Sequence, residues 1–164
     1  MKKALLTLLV VLLSFAAFSQ SMPPVDNVTL ITAQDYHDVQ PLVIQVSGYL
    51  LANPVDKDDE VRLTASIFLV RWIQGTPDFN FTFGHNVMKY FEKDSELVGV
   101  YYAAISSFAL KYPSVKDSKT ITLNAVKIFV AYINNPGNHV VLTPRLKKLS
   151  DAAQSGNLES FLKL

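Results

Sequence analysis

The chain has 164 residues, with 15 Lys or Arg against 14 Asp or Glu and no cysteine. Residues 1–19 have the pattern of a secretory signal peptide, since Lys2 and Lys3 precede an apolar run from Ala4 to Phe18 that ends in small residues. Removing 19 of the 164 residues leaves 145 and takes two lysines away, so the basic count falls from 15 to 13 and the formal charge from +1 to −1. These numbers exclude a membrane-spanning mature chain and a polybasic nucleic-acid binder.

The lack of cysteine also bears on where the protein is expected to act. A bacterial lipoprotein carries its lipid on a cysteine at the cleavage point, so we expect an exported protein, periplasmic or extracellular, that is not a lipoprotein. Residues 20–34 contain Pro23 and Pro24 and show no helical period, which predicts an extended N-terminal arm. Residues 35–164 are expected to form one helical domain, long enough to bury a sizeable core.

Apolar residues recur at helical spacing through the first half of this domain. The first helix is expected to begin near Pro41 with Asp38 as its cap, and to end before Pro54. A second helix follows the acidic loop 56–60, and Gly75 is the expected left-handed residue at its end. Phenylalanines then alternate with polar residues over positions 79–83, which is the period of a strand.

The second half of the domain repeats the helical pattern. A short helix is expected over 85–92, and longer helices are expected from about 95 to 112 and from about 118 to 134. Thr143 and Pro144 have the residue types of a cap and a first helical position, so they open a final helix that Gly156 ends. Residues 157–164 are expected to add one more turn.

These segments predict an all-α fold, a compact bundle of five to six helices built from two αα-hairpins. At an offset of 60 residues the apolar positions of the two hairpins correspond, with Ala65 matching Ala125 and Trp72 matching Tyr132. This correspondence suggests a pseudo-repeat, although any two amphipathic hairpins share such a pattern. Because two units are too few for a stable helical array, a compact bundle is expected rather than an open solenoid.

No motif in the sequence predicts a metal, a cofactor or covalent catalysis. His37, His85 and His139 are far apart and lack ligand spacing. The acidic loop 56–60 lacks the glycine and the final glutamate that a calcium loop needs. There is no cysteine, no serine nucleophile motif and no glycine-rich phosphate loop.

The segment 76–85 is the main candidate for a binding surface. If it is extended, its three phenylalanines point to one side, where aromatic faces can stack on a sugar or anchor a peptide. The alternative is that the rings fill a gap between the two hairpins and belong to the core, as large aromatic side chains usually do. The candidate surface comprises Asp78, Phe79, Phe81, Phe83 and His85.

The sequence favours a non-enzymatic binding or interaction module for an unknown protein or small ligand, since no catalytic set is recognisable in it. One alternative is a small envelope hydrolase or lyase that uses Asp78 or Glu96 together with His85 as acid and base. Another alternative is a structural component of the envelope.

Two short runs resemble segments of secreted, all-helical Bacteroidetes-type proteins of unknown function. They are residues 72–79, Trp-Ile-Gln-Gly-Thr-Pro-Asp-Phe, and residues 101–104, Tyr-Tyr-Ala-Ala. The Lys-Lys start and Phe-Ser-Gln end of the signal region are similar to signals of the same group. The resemblance implies a helical fold and an exported address, and it brings no catalytic residues with it.

Overall fold

A computed structural model describes residues 21–164, where the chain forms eight α-helices and no strand. The signal peptide predicted for residues 1–19 lies outside this range. The helices are α1 (Ala33–Asp38), α2 (Gln40–Ala52), α3 (Glu60–Gly75), α4 (His85–Met88), α5 (Ser95–Lys111), α6 (Ser118–Asn134), α7 (Pro144–Gln154) and α8 (Leu158–Leu162), with a 3-10 turn at Pro136–Asn138.

The predicted all-α bundle is confirmed. Five helices have 11 residues or more, namely α2, α3, α5, α6 and α7, and three shorter helices lie around them. Helix α2 packs against α3 and α5 packs against α6, which are the two predicted αα-hairpins. Three of the long helices begin at an aspartate, Asp59, Asp94 or Asp117, whose carboxylate accepts hydrogen bonds from backbone N–H groups of the first turn.

Helix α5 lies at the centre of the bundle, where it packs against α2, α3 and α6. Ten of its 17 residues are buried, and half of those ten are glycine, alanine or serine. Small residues allow neighbouring helices to approach closely. At Gly99 a Cβ atom would overlap the Ser66 hydroxyl of α3, so this crossing requires glycine unless Ser66 moves.

The two hairpins bury corresponding positions at the predicted offset. Ala65 and Ala125 are both fully buried, and so are Leu69 and Phe129. Trp72 and Tyr132 also correspond and are buried. The periodicity therefore identifies the inward face of each helix, because a 3.6-residue repeat places these residues on one side.

Three details of the predicted helix ends are wrong, the first being that the short helix expected over 85–92 ends at Met88, as α4. Asp38 is the last residue of α1, and α2 begins after Val39, whose side chain makes no capping hydrogen bond. Gly75 is the last residue of α3 and has no positive φ, which among the described glycines belongs to Gly156. Glycine at position 75 leaves room for Tyr36, because a Cβ atom there would overlap that ring unless the tyrosine side chain moved.

The chain outside the helices is held against them. In the N-terminal segment, residues 21–32 carry no helix, Val25 is buried, and the Val28 carbonyl accepts a hydrogen bond from Arg71 Nη2 at 3.2 Å. Residues 79–84 carry neither helix nor strand. Over residues 21–164, no helix combines the length and apolar character needed to cross a bilayer.

Candidate functional site

The three phenylalanines of segment 76–85 form a row of rings that lies against the core. The ring of Phe81 is 5.7 Å from that of Phe79 and 6.5 Å from that of Phe83. Trp72 contacts the first two rings, at 6.3 Å and 6.1 Å, and Tyr102 contacts Phe83 edge-on at 5.5 Å. The alternation in sequence does place the three rings on one side, and that side faces α3 and α5.

Exposure changes along this aromatic row. Phe79 is 8% exposed and belongs to the core, and Phe81 is partly buried against it. Phe83, at 37%, has the most exposed ring of the three. These positions favour the core interpretation of the aromatic row over that of a free stacking platform.

Asp78, which precedes the aromatic row, contacts α1, α2 and the loop before α6. Its carboxylate accepts a hydrogen bond from Gln40 Nε2 at 2.8 Å and lies 3.3 Å from His37 Nδ1. Its carbonyl accepts from Lys116 Nζ at 2.9 Å, and the same ammonium lies 4.2 Å from the centre of the Phe79 ring. Asp78 therefore joins α1, α2 and the loop before α6.

The acid–base set of the hydrolase alternative is divided among different partners. Glu96 is buried and its carboxylate accepts from Arg62 Nε at 2.7 Å, whereas Asp78 bonds to Gln40. His85 is exposed and lies 3.9 Å from Glu92. The structure thus gives no shared contact among the three residues that the sequence combined.

The Arg62–Glu96 pair is the centre of a buried polar network. Arg62 is 1% exposed, and its Nη1 donates to the Asn53 carbonyl at 3.1 Å. The Tyr132 hydroxyl donates to the same carbonyl at 2.8 Å. This network connects the end of α2 with α3, α5 and α6, and burial raises the pKa of Tyr132.

A groove of about 680 Å³ lies on another part of the surface, and the sequence did not predict it. It is bounded by the loop after α2, the segment before α5, the loop after the 3-10 turn and the start of α7. Apolar side chains form its floor, including Val55, Phe91, Leu97, Val140 and Leu146. Four cations line it, Lys57, Lys89, Lys93 and Arg145, and we call it the basic groove.

Buried anchors hold the walls of the basic groove in place. Phe91 is buried between Tyr101 and Phe129, at ring distances of 5.0 Å and 4.6 Å, and it fixes the segment that carries Lys89 and Lys93. On the opposite wall, Thr143 Oγ1 caps α7 by accepting from the Leu146 N–H at 3.3 Å. That cap places Arg145 in the first turn of α7, and Arg145 Nη1 reaches across to the Lys89 carbonyl at 3.1 Å.

The charges of the basic groove are unbalanced. Asp94 is the one carboxylate among its lining residues. Asp94 caps α5 by accepting from the Glu96 and Leu97 N–H groups, and its second oxygen lies 3.8 Å from Lys57 Nζ. Within the described part of the chain, Lys89, Lys93 and Arg145 form no ion pair, so the groove presents a net positive charge.

One residue of the predicted binding surface lies beside this groove. His85 lines a second cavity of about 360 Å³ together with Glu92, and that cavity shares Lys89, Lys93 and Arg145 with the basic groove. His139 lines the basic groove itself, in a left-handed backbone conformation with φ 57°. No group of three or more His, Asp or Glu side chains among residues 21–164 is placed to hold a metal ion.

Sequence reasoning missed the basic groove because its cations are dispersed along the chain. The single local signal is the run Lys89-Tyr90-Phe91-Glu92-Lys93, in which two lysines four residues apart enclose an aromatic pair. Lys57 and Arg145 come from segments far away in sequence. The chain matches no protein-family model, and no curated protein or solved structure shows significant similarity to it.

Proposed function

We propose that this protein is an exported, non-enzymatic binding module and that the basic groove binds a small amphipathic anion. The observation that carries the proposal is the combination of an apolar floor with four cations and one carboxylate in a groove of about 680 Å³. That volume is typical of pockets for small molecules, which are mostly apolar with a few placed polar groups. The proposal that the protein is exported rests on the signal peptide predicted for residues 1–19.

The floor of the groove favours an aliphatic chain on the ligand. Phe91, Leu97 and Leu146 are buried in the core at its base, and the partly buried Val55 and Val140 adjoin them. Each methylene group that leaves water for such a surface contributes about 0.8 kcal/mol. A ligand with an alkyl tail therefore gains affinity in proportion to the length that fits.

The cations favour an anionic group at one end of that ligand. Arg145 presents a planar guanidinium that can bind a carboxylate or phosphate through two hydrogen bonds, and Lys89 and Lys93 add two ammonium groups. Because no ion pair among residues 21–164 neutralises these three, binding an anion does not require breaking an existing contact with a carboxylate in that part of the chain. Nucleic acid is not the expected partner, since the cations line one compact groove.

The proposal moves the binding surface from the aromatic row to the basic groove. A ring row packed on Trp72 supports a structural role for Phe79 and Phe81. The hydrolase alternative gains no support, because Glu96 is already paired with the buried Arg62. A purely structural envelope component remains the outcome if the groove binds nothing.

Calorimetric titration with dodecanoate tests the proposal. We expect saturable binding that weakens as salt concentration rises, because salt screens the interaction between exposed charges. Dodecanol, which has the same chain without the charge, and acetate, which has the charge without the chain, should each bind more weakly. Absence of dodecanoate binding would overturn the proposal.

A matched pair of charge reversals locates the site. K89E/K93E should weaken dodecanoate binding roughly tenfold or more, which corresponds to about 1.4 kcal/mol. K147E/K148E makes the same change of charge on exposed lysines of α7 that do not line the groove, and should leave the affinity nearly unchanged. Equal losses in both variants would show a general charge effect and contradict a site in the groove.

A further inference from the structure

The loop at the mouth of the basic groove exposes two neighbouring aliphatic side chains. Val141 is 84% exposed and Leu142 is 43% exposed, and Val141 also lines the groove. Neither is needed to fill the core. Aliphatic side chains presented to water at the entrance to an apolar groove mark an interaction surface.

Contacts at both ends hold this loop in place. Before the loop, the Val55 N–H donates to the Asn138 carbonyl at 3.1 Å, and the Asn138 side chain donates to the Tyr132 carbonyl at 2.9 Å. After it, Thr143 caps α7. The two aliphatic side chains are therefore presented by a loop whose ends are fixed, and presenting them to a partner costs little ordering entropy.

Cations line the same groove as Val141 of this loop. Arg145 follows the loop by three residues, and Lys57, Lys89 and Lys93 line the same groove as Val141. Apolar side chains at a protein tip, with basic residues around them, fit the boundary of an anionic lipid bilayer, where acyl chains lie beneath negatively charged head groups. Other aliphatic side chains are exposed on the helices, among them Val61, Leu63 and Ile67 on α3, and these three do not line the basic groove.

We propose that Val141 and Leu142 insert into the surface of an anionic membrane and that the basic groove takes its ligand from that membrane. This inference rests on the proposed function, because it identifies the amphipathic anion as a lipid or a fatty acid dissolved in the bilayer. The cations bind the acidic head group and the apolar floor receives part of the acyl chain. The partner is a lipid surface rather than a protein.

Vesicle flotation with the purified protein tests the inference. We expect binding to vesicles that contain phosphatidylglycerol and little binding to vesicles of phosphatidylcholine alone, with the former falling as salt rises. V141S/L142S should lower the fraction bound to the anionic vesicles by roughly tenfold or more, since membrane affinity scales with the apolar area inserted. Equal binding to neutral vesicles, or an unaltered V141S/L142S variant, would overturn the inference.

Two controls separate this inference from the proposed function. L63S/I67S removes a similarly exposed aliphatic pair and should bind anionic vesicles as the unmodified protein does; a loss equal to that of V141S/L142S would contradict insertion by the loop. Dodecanoate titration of L142S, which changes the residue of the pair that does not line the basic groove, should give an affinity close to that of the unmodified protein, while its binding to anionic vesicles should fall. If dodecanoate binds and no vesicle does, the membrane inference fails and the proposed function stands; if dodecanoate does not bind either, both fail.

Discussion

The protein places its cations in two contrasting environments. Arg62 is buried, and Glu96 together with the Asn53 carbonyl accepts its hydrogen bonds. Arg145 and Lys93 are exposed in the basic groove and form no ion pair within the described residues. A buried charge must be compensated inside the protein because it has lost water, whereas an exposed charge stays solvated until a ligand arrives. The first environment compensates its charge within the fold, and the second leaves its charges exposed to solvent.

The same segments of chain build both regions. Asn53 belongs to the buried network, and Val55 and Lys57, just beyond it, line the groove. At the start of α5, Glu96 pairs with Arg62 while the next residue, Leu97, forms part of the groove floor. The first turn of α5 thus lies between a buried ion pair and a solvent-accessible groove. Substitutions can therefore change one of these regions without changing residues of the other.

The largest expected effect comes from breaking the buried pair. E96A leaves the Arg62 guanidinium buried without its carboxylate, so the free energy of unfolding should fall by about 3–5 kcal/mol. Urea denaturation followed by circular dichroism measures this value. The double variant R62M/E96M, which has no uncompensated charge, should lose less than E96A does. If E96A lowers the free energy of unfolding by less than about 1 kcal/mol, the buried Arg62 does not need a carboxylate partner, and the contrast between buried and exposed cations fails.

Replacing its phenylalanines with alanine tests whether the aromatic row belongs to the stabilising core or to the exposed surface. F79A removes a core ring and should cost about 3 kcal/mol of unfolding free energy, near the lower end of the range for phenylalanine in a core. F83A removes a more exposed ring and should cost clearly less. Thermal and urea unfolding of both variants provide the test. If F79A is as stable as the unmodified protein, the core interpretation of the aromatic row is wrong.

Alkaline pH should lower the stability of the core. Burial raises the pKa of Tyr101 above the ordinary value of about 10, so the folded state holds that proton more tightly than the unfolded state. The stabilisation from this group is complete below pH 10 and is lost as pH rises through the folded pKa. Urea midpoints measured upward from pH 9 should therefore fall above pH 10 in the unmodified protein. Y101F should show a shallower fall, and identical slopes would contradict the assignment to Tyr101.

The smallest change in stability is expected in the groove. K89E/K93E alters two exposed or half-buried side chains that form no ion pair with the described residues, so its unfolding free energy should stay within about 0.5 kcal/mol of the unmodified value. The same variant should bind dodecanoate roughly tenfold or more weakly in calorimetry. A drop in stability comparable with that of E96A would show that these lysines hold the fold and would remove the distinction between the two regions.

Much of the fold could be predicted because helix formation and helix faces depend on near neighbours in the chain. The spacing of Phe68, Leu69 and Trp72 places them on one face of α3 whatever lies opposite, and all three are buried. The predicted cap at Thr143 is confirmed, with Pro144 at the start of α7. Asp38 and Gly75 were misassigned: Asp38 is the last residue of α1, and Gly75 is the last residue of α3 and lies close to the ring of Tyr36.

The candidate site was harder to predict because it depends on distant segments. The sequence correctly placed the three phenylalanines on one side but left open whether that side faces solvent or the core, and packing on Trp72 and Tyr102 decides this. In the sequence, Glu96 has the pattern of an ordinary acidic residue at a helix start. The tertiary structure shows that it pairs with Arg62 of α3. Lys57, Lys89 and Arg145 have no common pattern along the chain.

By itself the sequence determined the all-α class, the two hairpins and the residues that each long helix turns inward. These features follow from periodicity, caps and prolines, which act over a few residues and can therefore be recognised in the sequence. Only the tertiary structure decided that the aromatic row lies against the core and that four dispersed cations surround one apolar groove. Charges that are close in space need not be close in sequence, so no local pattern along the chain predicts that these cations line one groove.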